Sequence, residues 1–311
     1  MIFPLYFKSK NSLKLFGLID NFIFLKKLYL KNKLPKVLML SGIKGSGKST
    51  LVNHLMYYIF DKDNYNLESN ELKSNSKFYN QFKDNINENI TYLSGEDFKN
   101  VKIEDIRDLK TRIFQTIISD KPRFIILDDV ELFNNNSLNA LLKIIEEPTK
   151  NNYFILINNK TKPIIETVKS RCLDIKIILN ESKRTTIIES LIKKFKINLL
   201  FDPEFYPLSP GHFIKFNYLF NENKISLDND FIKNLGILLN LYKKNKEVIF
   251  IDMILFLTNS YLNKLKNENL FKNDKIIEYK SFIFENINKF FRYNLNQNAL
   301  LNTINNKISD E

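Results

Sequence analysis

Val37-Leu-Met-Leu-Ser-Gly42-Ile-Lys-Gly45-Ser-Gly47-Lys48-Ser49 is the stretch on which the fold of this 311-residue chain turns. Val37 to Leu40 is a short apolar run ending in Ser41-Gly42, the pattern of a parallel strand buried on both faces. From Ser49 the period changes, with Leu51, Leu55, Tyr58 and Ile59 at helical spacing. Between strand and helix, Gly42 to Ser49 fits G-x-x-x-x-G-K-[ST] in full. The glycines let the backbone curl until successive N–H groups point inward at phosphate oxygens. In such a loop Gly42, Ile43, Lys44, Gly45, Ser46 and Gly47 line the phosphates, with Thr50 just behind them. Lys48 reaches the β- and γ-phosphates, and Ser49 holds Mg2+ through its hydroxyl. A chance glycine-rich turn is the bland alternative; the strand before and the helix after weigh against it.

The same alternation continues outward. Residues 61–91 are polar and read as a surface excursion, partly helical and partly disordered. Ile103 to Leu109 opens an amphipathic helix that continues through Ile113 and Ile117. Phe124 to Leu127 reads as a second buried strand, Tyr153 to Ile157 as a third and Ile175 to Ile178 as a fourth. Leu138, Leu141, Leu142 and Ile145 stripe a helix that Pro148 terminates. Strands alternating with helices imply an α/β fold, a parallel sheet covered on both faces. After about residue 180 the strand signals fade. Ile187, Ile188, Leu191, Ile192 and Phe195 form a helical stripe, and Ser209-Pro210-Gly211 punctuates the chain. Beyond a soft linker at 222–228 only helices are expected, Phe231, Leu235, Leu238, Leu239 and Tyr242 marking one of them.

Asp128-Asp129 ends the second strand, 80 residues after Lys48. A carboxylate at a strand's carboxyl end lies beside the P-loop in an open α/β sheet. Asp128 is then expected in the magnesium shell, and Asp129 is a candidate for orienting a water. A helix N-cap or solvated turn is the alternative, and it weighs more for Asp129. Ser170-Arg171-Cys172 precedes the last strand. Arg171 reads either as an ordinary surface residue or as a finger presented to a neighbouring subunit's nucleotide. His54, one turn into the helix after the P-loop, reads as structural.

Composition bounds the rest. One cysteine, Cys172, and two histidines exclude an internal disulfide and a four-ligand zinc site of cysteine and histidine. A formal charge of +12 favours anionic partners such as nucleic acid. The abundance of Lys, Asn, Ile and Phe along the whole chain suits biased base composition equally well. The start, Met-Ile-Phe-Pro-Leu-Tyr-Phe-Lys8, lacks a signal-peptide pattern, and a cytoplasmic location is expected. Val248 to Leu257 is too short to span a bilayer and contains Asp252, so no membrane partner is expected.

These residues resemble one family. Leu138-Asn-Ala-Leu-Leu-Lys-Ile-Ile-Glu-Glu-Pro148 is similar to the "NALLKxLEEP" helix of bacterial clamp-loader subunits, and Ser170-Arg171-Cys172 matches their "SRC" motif. Lys33-Leu-Pro35, Ile103-Glu-Asp-Ile-Arg107 and Leu208-Ser-Pro-Gly211 resemble their "LPHA", "VDxIR" and "GSPG" segments. The set spans about residues 12–216. Within the DNA polymerase III clamp-loader family the chain looks more like the delta-prime type than gamma/tau.

The resemblance implies an AAA+ architecture: a RecA-like domain at 1–178, a helical lid at 179–222 and a helical collar at 223–311. It implies a five-membered ring with gamma/tau and delta subunits that uses ATP and Mg2+ to place a sliding clamp on primed DNA. DNA contacts in such a ring follow the phosphate backbone without reading sequence. Arg171 becomes an arginine finger acting in trans. Sensor 1 falls at Asn158 or Asn159, with Asn159 favoured; a plain polar turn is the alternative.

Three departures qualify the carry-over. Asp129 stands where hydrolysing members have Glu, one methylene longer. His212 stands at the sensor 2 position, where an imidazole is a poor substitute for a fixed guanidinium. The zinc module between the two motifs is absent. Nucleotide binding with weak or no hydrolysis is therefore expected. A structural subunit with a vestigial P-loop and a stand-alone replication ATPase are the alternatives.

Overall fold

A computed structural model describes residues 3–4, 7–95, 101, 103–114, 121–227, 230–268 and 273–309. Ile117, the end of the linker reading at 228, and Met1, Ile2, Leu5 and Tyr6 of the amino-terminal reading lie outside the described residues. The chain divides into two compact units. One comprises Met1–Lys196 with Pro207–Lys215, the other Ile197–Tyr206 with Phe216–Glu311.

The first unit is built on strands β1 (Val37–Ser41), β4 (Ile90–Ser94), β5 (Arg123–Asp128), β6 (Asn152–Asn158) and β7 (Leu173–Lys176), with a small antiparallel pair, β2 (Tyr65–Asn66) and β3 (Glu71–Leu72). Its helices are α1 (Ile19–Leu30), α2 (Lys48–Phe60), α3 (Lys77–Lys83), α4 (Ile103–Phe114), α5 (Asn135–Ile145), α6 (Glu166–Lys169) and α7 (Glu181–Phe195); α8 (Pro210–Glu222) begins in it. The five-stranded sheet is parallel throughout, in the order β4-β5-β6-β1-β7. This is the parallel α/β sheet, covered on both faces, that the alternation of strands and helices implied.

Strand alternation sorts the core into two layers. Leu38, Leu40, Phe124, Ile126, Ile155 and Ile157 face one side, against Phe22 and Leu25 of α1, Leu51 and Leu55 of α2, and Phe78 and Phe82 of α3. Met39, Ile125, Leu127, Phe154 and Leu156 face the other, against Ile106 and Leu109 of α4 and Leu138, Leu141 and Ile145 of α5. Both faces are apolar, which is why these strands read as continuous hydrophobic runs rather than alternating ones. Asn134 caps α5, its side chain accepting from Ser137 N–H at 2.8 Å.

Three expectations change. Residues 61–91 hold ordered structure: the β2–β3 pair, and α3, which buries Phe78, Tyr79 and Phe82. Three aromatic anchors among polar neighbours suffice, because α3 packs on a helix already buried. The segment also leads into β4, a fifth strand not anticipated. The last strand lies at Leu173–Lys176 rather than Ile175–Ile178. It is an edge strand pairing only with β1, so its side chains are largely exposed, and Ile178 beyond it is 78% exposed.

The second unit contains α9 (Phe231–Asn245), α10 (Val248–Asn267), α11 (Asn273–Tyr293) and α12 (Gln297–Ser309), each packing on its neighbours, with α12 returning to α9. Asp230 caps α9, accepting from Ile232 N–H at 2.8 Å. The ring of Phe231 stacks on Tyr261 at 4.3 Å, and Phe256 gathers Phe201, Tyr206, Phe216 and Phe220. Helix α10 runs 20 residues, its most apolar 18-residue stretch has a mean hydropathy of 1.3, and by length and composition it is long and apolar enough to cross a membrane. The reading of Val248 to Leu257 as too short is corrected on this point: the helix continues through Ser260 and Leu262 to Asn267. Phe250, Met253, Ile254, Leu257, Leu262 and Leu265 are buried in the unit, as in the core helix of a bundle.

Candidate functional site

The site lies at the carboxyl ends of the central strands. Gly45 and Gly47 take φ of +80° and +92°, the left-handed region that glycine enters without penalty. At Gly42 the constraint is space: a Cβ there would stand 2.5 Å from the carbonyl oxygen of Ile177. The turn so formed delivers the chain into α2 at Lys48. The Lys48 ammonium is buried and donates to the carbonyls of Gly42 at 2.9 Å and Ile43 at 2.7 Å, and to Ser46 Oγ at 3.3 Å. Burial pulls its pKa down to about 8, against the pull of Asp128, Glu131 and Asp129.

Across the end of β6, Asp128 meets the P-loop helix. Ser49 Oγ donates to Asp128 Oδ2 at 2.7 Å, and Tyr92 of β4 donates its phenol to the same oxygen at 2.5 Å. Asp129 N–H donates to Asp128 Oδ1 at 3.0 Å. Burial pushes the Asp128 carboxyl above the usual carboxylate range, while the Tyr92 and Ser49 hydroxyls, the Asp129 N–H and the Lys48 charge pull it back.

Asp129 itself turns with φ of +52°, a conformation Asp tolerates better than most residues. Its Oδ1 accepts from the side-chain amide of Asn159 at 2.8 Å. Asn158 instead makes the turn, its Oδ1 accepting from Lys160 N–H at 2.9 Å. Of the two sensor 1 candidates, only Asn159 makes a hydrogen bond of the structure to the second carboxylate.

The amino end of α8 closes on the P-loop. Gly211 N–H donates to Gly45 O at 2.9 Å, and a Cβ on Gly211 would stand 2.9 Å from Gly45 Cα. His212 N–H meets Ser209 Oγ at 3.4 Å, and the residue is half-buried. His54 is set apart from this chemistry. It is buried, with Nδ1 2.9 Å from the Tyr65 hydroxyl and Nε2 3.1 Å from the carbonyl of Ser12. Burial lowers its pKa to about 3.

Arg171 stands elsewhere. It precedes β7, so it lies at the amino end of a parallel sheet whose carboxyl end carries the P-loop. Its guanidinium donates to Glu146 at 2.9 Å and to the carbonyl of Thr167 at 3.0 Å, and its side chain is about a third exposed. Glu146 belongs to the Leu138–Pro148 segment, so the two most distinctive motifs of the sequence touch through this pair.

Two participants were missed in the sequence. Tyr92 falls within a run, Ile90-Thr-Tyr-Leu93, whose β-branched and aromatic residues signal a strand. Glu131 is buried, and its carboxylate accepts from Asn159 N–H at 3.1 Å and Thr161 Oγ1 at 2.8 Å. Glutamate is seldom buried without partners, but no sequence pattern announces it. The donor set suits a magnesium–nucleotide. The turn has no room for a side chain at Gly42 and Gly45 and a left-handed backbone at Gly45 and Gly47, a buried ammonium stands beside it, and a hydroxyl and a carboxylate supply hard oxygen atoms.

Comparison with known proteins follows the same direction. The chain is 30% identical over 198 residues to the DNA polymerase III subunit delta' of Buchnera aphidicola subsp. Acyrthosiphon pisum, covering 59% of this chain and 60% of that one. To the DNA polymerase III subunit gamma of Buchnera aphidicola subsp. Schizaphis graminum it is 34% identical over 94 residues, 30% of this chain and 26% of that one. The chain thus spans between a quarter and three-fifths of these relatives. A solved structure of a gamma subunit-related protein from Thermotoga maritima aligns with a TM-score of 0.47 and 17% identity, over 90% of this chain and 96% of that one. Residues 20–180, just over half of the chain, match the family described as DNA polymerase III, delta subunit, and the chain belongs to that family.

Proposed function

We propose that this chain is a delta-prime-like subunit of a replicative clamp loader that binds ATP with Mg2+, hydrolyses it weakly or not at all, and lends Arg171 to a neighbour. The observation that carries nucleotide binding is the Ser49 Oγ–Asp128 Oδ2 hydrogen bond of 2.7 Å beside the P-loop. It brings the two expected magnesium ligands to one point from residues far apart in sequence. When bound, magnesium–ATP supplies a transferable phosphoryl group with its charge partly neutralised. The chain's own residues cradle the phosphates with the 42–49 backbone and offer Lys48, Ser49 and Asp128 to the charge. Asp129 is one methylene shorter than a glutamate and engaged by Asn159, which supports weak water activation.

The partners in this reading are gamma/tau and delta subunits in a five-membered ring, the sliding clamp, and primed DNA held through its backbone. The compartment is the cytoplasm. The three-part division at about 178 and 222, with a lid and a collar, belongs to the same reading.

One observation favours the structural alternative: Lys48 donates to its own loop carbonyls at 2.9 and 2.7 Å rather than standing open. Titration with ATP, with Lys48→Ala as control, separates the two. Magnesium-dependent binding lost in the variant supports a working site; identical curves identify a vestige. Strong turnover by the isolated chain would sink the weak-hydrolysis reading, and an Arg171→Ala ring with normal clamp-stimulated ATPase would sink the finger.

A further inference from the structure

We propose that Tyr92 is a positioning residue for Asp128: its phenol holds the carboxylate in the one orientation in which it and Ser49 face the cation of a bound metal–nucleotide. The inference rests on the nucleotide-binding reading above.

Tyr92 comes from the strand next to β5. The register pairs Tyr92 with Ile126 and Ser94 with Asp128, so the phenol reaches along the sheet toward the carboxyl end. Its hydroxyl donates to Asp128 Oδ2 at 2.5 Å, the atom that also accepts from Ser49 Oγ at 2.7 Å. Asp128 Oδ1 accepts from Asp129 N–H at 3.0 Å. A carboxylate turns easily about its last side-chain bond, a broad two-fold torsion. Donors on both oxygens remove that freedom.

The three donors are not equivalent. The Asp129 N–H is local backbone and tracks any movement of Asp128. Ser49 is shared, because its oxygen is also the P-loop's magnesium ligand. Only Tyr92 belongs to neither element, so its hold on Asp128 does not depend on whether Ser49 faces the carboxylate or the cation. Tyr92 is itself braced. The Lys10 ammonium stands 4.0 Å from the centre of its ring, on a turn of 3-10 helix at Ser9–Asn11. A cation over the ring fixes the phenol's place and draws electron density from it, which strengthens the O–H as a donor.

A purely structural tyrosine would also seek a partner for its hydroxyl. The two roles differ in what removal of the oxygen does to metal dependence. The test uses the full chain and a fluorescent ATP analogue, titrated in MgCl2 and in EDTA, on wild type, Tyr92→Phe, Asp128→Asn and the double variant. One hydrogen bond to a charged group corresponds to roughly tenfold in affinity. Tyr92→Phe is expected to lose roughly tenfold in MgCl2 and to bind like wild type in EDTA. In the Asp128→Asn background the same substitution is expected to change nothing. The thermal midpoint of Tyr92→Phe without nucleotide monitors folding. Equal loss in both buffers, no loss in MgCl2, or the full effect persisting beside Asp128→Asn overturns the proposal. If wild type and Lys48→Ala bind alike, the nucleotide reading itself fails, and that result is distinct from a tyrosine variant behaving as wild type in a chain that does bind.

Discussion

The side-chain amide of Asn159 donates to Asp129 Oδ1 at 2.8 Å, tying the end of β6 to the carboxylate beyond β5. The pair sets the reach of the carboxylate to which the proposed function assigns the orienting of a water. Lengthening it by one methylene, Asp129→Glu, is expected to raise ATP turnover at this site by roughly tenfold, a fraction of what a positioned base contributes. The residue sits at φ of +52°, which Glu tolerates less well, so a small loss of stability should accompany the gain. Single-turnover hydrolysis in the assembled ring reads the first effect and urea unfolding the second. Unchanged turnover would mean that reach is not what limits the site.

Glu131 anchors the same loop from beneath. Its buried carboxylate accepts from Asn159 N–H and from the Thr161 hydroxyl. Glu131→Gln replaces one acceptor oxygen by a donor that faces donors. The cost expected is about 1–3 kcal/mol in urea unfolding. A variant as stable as wild type would show that the loop holds itself.

Arg171 and Glu146 form a part-exposed ion pair at 2.9 Å, the kind that contributes about 0–1 kcal/mol to stability. Arg171→Ala should therefore leave the melting temperature nearly unchanged. In the assembled ring it should lower the neighbour's ATP turnover by about 10³-fold or more, as loss of an arginine finger does. A large fall in stability with little change in turnover would reverse the assignment.

Gly211 touches the P-loop with no room to spare. A Cβ there meets Gly45 Cα at 2.9 Å and its carbonyl oxygen at 3.0 Å, both backbone atoms that cannot swing aside. Gly211→Ala is expected to destabilise the first unit by about 1–3 kcal/mol and to weaken nucleotide binding together with it. Differential scanning calorimetry with and without ATP measures both, and a neutral variant would show that α8 can shift freely.

His54 makes the stability depend on pH. Its pKa falls from 6.5 to about 3 on folding, so between those values the unfolded chain binds more protons. Its contribution to stability is complete above pH 6.5 and declines as the pH falls toward 3, by at most about 1.4 kcal/mol per unit. His54→Gln should be less stable at pH 7 and lose less between pH 6.5 and 4. Parallel stability curves for the two chains would count against a neutral buried imidazole.

Much of the first unit was legible because the signals were local. A strand, a glycine turn and a helix stand in one 24-residue stretch, 37–60, and Asp128-Asp129 closes a run of four apolar residues. What escaped was decided by packing at a distance. The stretch 61–91 looks too polar to order itself, yet Phe78, Tyr79 and Phe82 find a ready surface on α2. Tyr92 and Glu131 carry no motif, since their roles come from where the sheet register and a loop place them. The last strand was set two residues late because Ile177 and Ile178 look more strand-like than Leu173 and Asp174. Pairing with Leu38 and Met39 of β1 outweighed that preference.

The five parallel strands of the main sheet give the first unit a front and a back. Its P-loop is on one and Arg171 on the other, with the length of the strands between them. What happens to the cradle therefore need not be felt behind it. Under the proposed function, a chain of this design can grow slack as a consumer of fuel and stay exacting as a lender of charge. On that reading it suits the last place in a row of such chains, asked to give at its back and not to receive at its front.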